Sequence, residues 1–329
     1  MKDPDFYFND GNIVLSAEDS ENSTTYFRLH QSILGLHSAV FRDMFSIPTP
    51  ADMEQHESIP LVKMLDDAVA LRDFIALLYS PQHKLNVLSS EDFTLRMFRP
   101  TQLAKKYQVD WICKMVADEL QKRWPTTLAG WDRIAEDEQE EEAIKLGHWG
   151  PELEDGSLAL RQFPEPLSSI RLAYECDSPI ILPFAFFRLL CLSIELDPDE
   201  IAMGGRCKPD RSLFTPDEWH SLALARERIG KWFWHQENYQ EPRKDCGNNM
   251  GCEARTLSTW SKISTGVAFN GDFLQASRVQ IQDLNTSLTR GKICSICKEK
   301  LRYEVQTLRR RFVSQLSAFF DLDVELPPQ

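Results

Sequence analysis

Residues 27–45, FRLHQSILGLHSAVFRDMF, decide how the N-terminal third of the chain is read. His30 and His37 stand seven apart in an apolar stretch whose periodicity changes partway along. TYFRL (25–29) alternates as a half-buried strand does. Leu36, Val40, Phe41, Met44 and Phe45 then fall at helical spacings, with Ser38 or His37 near the helix start and Pro48 beyond its end. Two histidines in such a place can form a metal site, supply a catalytic base, or simply pack a strand-to-helix corner.

Working outward, NIVLSAE (12–18) follows Asp10-Gly11, and a polar turn separates it from TYFRL, which reads as a β-hairpin. ESIPLV (57–62) is a short strand candidate. DDAVALRDFIALLYS (66–80) is a helix with Asp66 and Asp67 at its N-terminus and Pro81 at its end. RPTQLAKKYQ and DWICKMVADELQKRW add two helices that part near Val109-Asp110. The order β-β-α-β-α-α-α within about 120 residues implies an α+β layout, a small sheet against a helical cluster.

Composition sets the frame. A chain of 329 residues is comfortable for two domains. Its 42% hydrophobic content, with eight Trp and nineteen Phe, can bury enough apolar surface to exclude a wholly disordered protein. The formal charge of −13 repels phosphate backbones, and basic residues occur only in short clusters, so nucleic acid is not the expected partner. Eight cysteines lack the density of a disulfide scaffold, and MKDPDFYFNDGN has no apolar signal region. A reducing intracellular compartment, cytoplasmic or nuclear, is the expectation. The most hydrophobic window, SPIILPFAFFRLLCLSIEL (178–196), is interrupted by Pro183 and Arg188, and reads as a buried helix rather than a membrane span.

The pattern Phe27-x-x-His30-x-x-Ile33-Leu34 followed by Ser38-x-x-Phe41-x-x-Met44-Phe45 resembles the signature of the BTB/POZ domain. Asp10-Gly11-Asn12-Ile13-Val14, Ile59-Pro60-Leu61 and Phe74-x-x-x-Leu78-Tyr79 occur in the order that family shows, and the likeness covers roughly residues 5–124. The resemblance implies that His30 is a packed, hydrogen-bonded residue of the corner, whereas His37 has no assignable counterpart. Because His30 precedes the helix, the two rings do not share a helix face, and packing is expected over a metal. The resemblance also implies partner binding or self-association through the first helix, the face formed by Ser38, Val40, Phe41, Met44 and Phe45, and in some members recruitment of a cullin scaffold to ubiquitin ligases. Only nine residues precede Asp10, so a homodimer built by a long N-terminal strand exchange is not expected.

The pattern changes after Trp124, and the expected organisation is a BTB/POZ domain over 1–125, an acidic helix and linker over 126–165, and an all-α domain over 166–329. EDEQEEE (136–142) reads as the solvated face and tail of a helix, or as a docking tract for a basic partner. The stretch 147–165, punctuated by Gly and Pro, reads as a loop. SSIRLAYEC and 180–196 are apolar helix candidates. Thr215, Pro216, Asp217 and Glu218 open another helix as cap, first residue and acidic first turn. In KLRYEVQTLRRRFVSQLSAFFDL, Leu301, Val305, Leu308, Phe312, Leu316 and Phe319 make one stripe. Ile181-Leu182-Pro183-x-Ala185-Phe186-Phe187 with Thr215-Pro216-Asp217-Glu218-Trp219 resembles the helical extension of BTB proteins abundant in mushroom-forming (basidiomycete) fungi.

One constellation carries chemistry. Cys246-x5-Cys252 and Cys294-x2-Cys297 are two pairs separated by 41 residues, a set that can hold a structural zinc ion or remain four free thiols. The x5 spacing exceeds the usual two to four residues. A catalytic dithiol lacks its β-α-β context, and four thiolates on zinc leave no position for water. The other cysteines, Cys113, Cys176, Cys191 and Cys207, read as small core residues. With no P-loop, GxGxxG, GxSxG or HExxH, the expectation is a non-enzymatic interaction protein. The alternative is a nuclear or transcriptional regulator whose zinc-stabilised C-terminal domain contacts nucleic acid through Lys292, Lys298, Lys300 and Arg309–Arg311.

Overall fold

The computed structural model describes residues 1–48, 53–90, 92–145, 163–192, 214–235, 246, 249–270, 272–285 and 293–329. They form two compact units, Met1–Leu120 with Arg171–Ser178, and Gln121–Ile170 with Pro179–Gln329. The stretch Arg171–Ser178, which sequence assigns to the C-terminal domain, is thus grouped with the first unit.

The N-terminal chain runs β1 (Lys2–Tyr7), β2 (Ile13–Glu18), β3 (Thr24–Leu29), α1 (Gln31–His37), α2 (Ala39–Ser46), β4 (Gln55–His56), β5 (Ile59–Asp67), α3 (Ala68–Tyr79), α4 (Pro81–Leu88), α5 (Phe93–Lys106) and α6 (Asp110–Arg123). The mixed sheet has the order β1-β3-β2-β5-β4. Its centre, β2, pairs antiparallel with β3, Leu15 opposite Phe27, and parallel with β5, Leu15 opposite Val62. A strand covered on both faces is rich in apolar residues, and Ile13, Val14, Leu15 and Ala17 are all buried together with the small polar Ser16. β3 buries only alternate residues, Thr25, Phe27 and Leu29.

Four elements go beyond the order read from sequence: β1, α1, β4 and α4. β1 escapes notice because it is an edge strand carrying Pro4, a residue edges tolerate, and it buries only Asp3 and Phe6. Asp3 accepts the N–H groups of Asp5 and Phe6 at 2.9 Å each and pairs with Arg72 Nε at 3.1 Å. α5 also starts earlier than Arg99-Pro100 suggests. Phe93 and Met97 are buried, and their packing carries the helix through Pro100 despite the missing N–H.

Gly11 shows how closely the hairpin approaches the turn before it. A Cβ there would lie 2.8 Å from the Leu29 carbonyl oxygen and 3.0 Å from the Arg28 carbonyl carbon, both backbone atoms. Gly11→Ala is therefore expected to lower stability by about 1–3 kcal/mol, read as a lower urea midpoint at unchanged slope.

The corner itself is a double helix start. His30 takes the extended backbone that ends β3 and becomes the N-cap residue of α1. Its N–H donates to Tyr79 Oη at 2.9 Å, its Nδ1 lies 3.4 Å from the same oxygen, and its Nε2 is 3.3 Å from Asp10 Oδ1. His37 closes α1 against the Trp111 ring. Ser38 then caps α2: Oγ accepts from Phe41 N–H at 3.1 Å and donates to the Tyr107 carbonyl at 2.6 Å. Phe41 stacks on Tyr107 at 4.7 Å. Tyr107 hydroxyl donates to Asp66, which also binds Lys106 Nζ at 2.6 Å. Burial, and then the Asp66 carboxylate, push the Tyr107 phenol well above its usual range. Ser38→Ala removes a cap and leaves the buried Tyr107 carbonyl without this donor, so a loss of roughly 2 kcal/mol is expected in thermal or urea unfolding.

Beyond Trp124 every described element is helical: α7 (Leu128–Lys145), α8 (Pro166–Glu175), a 3₁₀ turn (Pro179–Ile181), α9 (Leu182–Cys191), α10 (Pro216–Trp234), α11 (Asn249–Asn270), α12 (Phe273–Asn285), α13 (Ser295–Val313) and α14 (Leu316–Phe319). The loop expected over 147–165 lies largely outside the described residues. Thr215 and Glu218 form a reciprocal capping box at the start of α10. The terminal helix is two helices, broken after Val313, and all six residues of its stripe are buried. Aromatic rings fill the core of this unit. Trp131 meets Phe163 at 4.6 Å and Phe187 at 5.2 Å, and Phe312 meets Phe187, Phe273 and Phe319 at 5.3, 4.9 and 5.4 Å. No helix among the described residues is long and apolar enough to cross a membrane.

Candidate metal centre

Cys246, Cys252, Cys294 and Cys297 converge, with all four sulfur atoms within 4.8 Å of one another. Local structure explains each position. Cys246 precedes α11 and Cys252 is the fourth residue of that helix, so the wide x5 spacing is that of one ligand before a helix and one inside its start. Cys294 is the N-cap of α13 and Cys297 sits in its first turn, which turns both thiols of the CxxC toward one point.

Cys246, Cys252 and Cys297 are buried, whereas Cys294 is half-buried. Backbone N–H groups point at the sulfurs: Cys294 N–H donates to Cys252 Sγ at 3.3 Å, and Cys297 N–H to Cys294 Sγ at 3.4 Å. The Cys297 N–H at the helix start holds the Cys294 thiol down at about 7, the range in which thiolate is abundant at neutral pH. Burial pushes the Cys252 thiol up.

The dimensions suit a tetrahedral cation. Arms of about 2.3 Å, the zinc–thiolate length, give sulfur–sulfur edges of about 3.8 Å. Cys246 Sγ and Cys294 Sγ are 3.8 Å apart, far from the roughly 2 Å of a disulfide. Four sulfur donors are a soft set that favours zinc or a similar thiophilic ion over calcium or magnesium. With all four positions filled by protein, such an ion holds structure and has no open position at which to activate water.

The residues read as an interaction face divide by burial. Ser38 and Phe41 are buried in the corner, while Val40, Met44 and Phe45 are half-buried on α2. Leu36 on α1 and Ile47 just past α2 are exposed, at 77% and 68%.

The acidic block is not uniformly solvated. Its backbone is helical in α7, and Glu138 binds Arg188 Nη2 at 3.0 and 3.1 Å, while Arg188 lies 4.6 Å over the Phe163 ring. Of the basic residues considered for nucleic acid, Arg309 is turned inward. It is 4% exposed, donates through Nη1 to Asp132 Oδ2 at 2.9 Å, and reaches the Leu274 carbonyl at 3.4 Å. Lys300 pairs with Glu304 at 3.6 Å, Arg310 and Arg311 are exposed, and Lys292 lies outside the described residues.

The remaining cysteines are not all core residues. Cys191 is half-buried, and burial of its thiol pushes it well up. Cys207 lies outside the described residues. Cys113 is half-buried and Cys176 buried.

Comparison with protein-family models, with curated proteins and with solved structures finds no match.

Proposed function

We propose that the chain is a non-enzymatic protein-interaction module, in which a BTB/POZ-type docking unit is followed by a helical unit pinned by a structural zinc ion on Cys246, Cys252, Cys294 and Cys297. The observation that carries the interaction reading is the short α1–α2 pair. Ser38 and Phe41 are committed to the interior, yet Leu36 and Ile47 of the same segment stand in solvent and Val40, Met44 and Phe45 are only half covered. Clustered exposed apolar side chains favour association. The hairpin that delivers Phe27 and His30 into this segment agrees with the family resemblance of the sequence.

Association with a second copy through α1–α2 is the leading partner reading, and a cullin-type scaffold is the other that the resemblance implies. The zinc reading rests on the four converging sulfurs and on the absence of any other such donor cluster among the described residues. The inward turn of Arg309 takes one charge away from the basic face that a nucleic-acid role would use.

The test is light scattering and elemental analysis on the purified chain. The reading expects about one zinc per chain and a dimer mass that falls to the monomer in Leu36→Glu combined with Ile47→Glu. A monomer at every concentration that also fails to retain a cullin in a pull-down would contradict the docking role. A salt-dependent shift of DNA would favour the regulator instead.

A further inference from the structure

The four converging sulfurs of the helical unit are not equivalent. Cys246, Cys252 and Cys297 are buried, whereas Cys294 is half-buried, so a small oxidant in solvent meets Cys294 first. Its three neighbours are held differently. Cys252 lies inside α11, and its sulfur accepts the Cys294 N–H at 3.3 Å. Cys297 lies in the first turn of α13, and its own N–H donates to Cys294 Sγ at 3.4 Å. Cys246 Sγ is 3.8 Å from Cys294 Sγ, on a residue that precedes α11. A disulfide needs sulfurs about 2 Å apart, so one of the partners has to move. Of the three neighbours, Cys246 is the one whose backbone is not committed to a helix.

We propose that this centre is an oxidation-sensitive metal-release site, in which Cys294 reacts with hydrogen peroxide, Cys246 closes a disulfide on it, and zinc is given up. Release rests on the reading that the four cysteines hold zinc, whereas the disulfide step stands on the sulfur geometry. A thiol that ligates a cation is deprotonated, and the thiolate is the nucleophile. In the first step the Cys294 thiolate attacks one peroxide oxygen, the O–O bond breaks, and the sulfur keeps that oxygen as a sulfenic acid while hydroxide leaves. In the second, the Cys246 thiolate attacks the Cys294 sulfur, the S–O bond breaks, and a second hydroxide leaves as the S–S bond forms. Two thiolates lose two electrons, one peroxide becomes two hydroxides, and solvent protons turn both into water.

The disulfide leaves Cys252 and Cys297 as the only thiolate donors of the set, half of what a structural zinc site requires. Release follows from that shortfall. The N-cap of α13 is then tied covalently to the segment before α11, and residues 247–293 become a closed loop. A dithiol reductant reopens the bond by exchange, and added zinc restores the centre.

The experiment measures zinc in the full purified chain by elemental analysis, then adds a small excess of hydrogen peroxide with a chromogenic zinc chelator present. Alkylation at successive times and peptide mass spectrometry identify each disulfide as it forms. The expected first disulfide links Cys246 to Cys294, appears with about one zinc released per link, and is reversed by dithiothreitol. Cys113→Ser combined with Cys191→Ser, which removes the other half-buried thiols among the described residues, should leave release unchanged. A chain that holds zinc and keeps it while peroxide is consumed elsewhere would overturn the release site and leave the zinc reading intact. Release with a first disulfide between any other pair, or with Cys294 carried to sulfinic acid and no link, would overturn the role of Cys246. A chain that neither contains zinc nor takes it up contradicts the zinc reading itself, and release falls with it. The wild-type map decides these outcomes, so a serine variant that fails to fold does not.

Discussion

Cys252→Ser is expected to abolish the zinc binding proposed for the helical unit and to lower its unfolding free energy by roughly 5 kcal/mol. That is about half of the on-the-order-of-10 kcal/mol that zinc supplies to small units wholly dependent on it. The fraction is partial because this unit also has an aromatic core around Trp131, Phe187 and Phe312. Cys252 is fully enclosed, so serine would place a hydroxyl against three remaining sulfurs with no route to water. Calorimetry should show the transition of the helical unit falling while that of the first unit stays in place. Ser295→Ala, an exposed change beside the centre, should leave metal content intact. Acid acts in the same sense as the mutation: protons compete for the thiolates, so affinity falls as pH falls and zinc is released at the acidic end of a titration.

Arg309→Ala is expected to cost about 3–5 kcal/mol, because it leaves the Asp132 carboxylate partly buried without its guanidinium. The pair is held by a bond of 2.9 Å from Nη1 and a second from Nη2 to the other carboxylate oxygen. The sign depends on removing one partner rather than both. Arg309→Met combined with Asp132→Leu should come within about 1–2 kcal/mol of the parent, since a buried ion pair exchanged for packed apolar groups is often close to neutral. Chemical unfolding followed by far-ultraviolet circular dichroism of the single and double variants gives both numbers.

Much of this architecture is legible in the sequence, for reasons that differ from place to place. The hairpin and its corner can be read because Thr25, Phe27 and Leu29 alternate and Ser38 stands where a cap is needed. The convergence of the four cysteines can be anticipated because two cysteine pairs, one of them a CxxC, can turn their thiols toward a single point. β1 cannot, since an edge strand with Pro4 and a polar surface lacks both alternation and β-branched residues.

Two charged residues were hidden by their company. Arg309 lies within an arginine triplet that looks solvent-facing, yet it is four residues from Val305 and three from Phe312, on the buried stripe. Glu138 lies within the acidic block, yet it is seven residues from Trp131 and four from Ile134, so it faces inward and meets Arg188. In both cases helical register was the available signal and local charge density obscured it.

X-ray absorption at the zinc edge on the full purified chain tests directly the proposal that the four sulfurs hold one ion. A single shell of four sulfur atoms at about 2.3 Å, lost on Cys252→Ser, is the expected result. A shell containing nitrogen or oxygen ligands, or a correctly folded chain that binds no zinc, would contradict it.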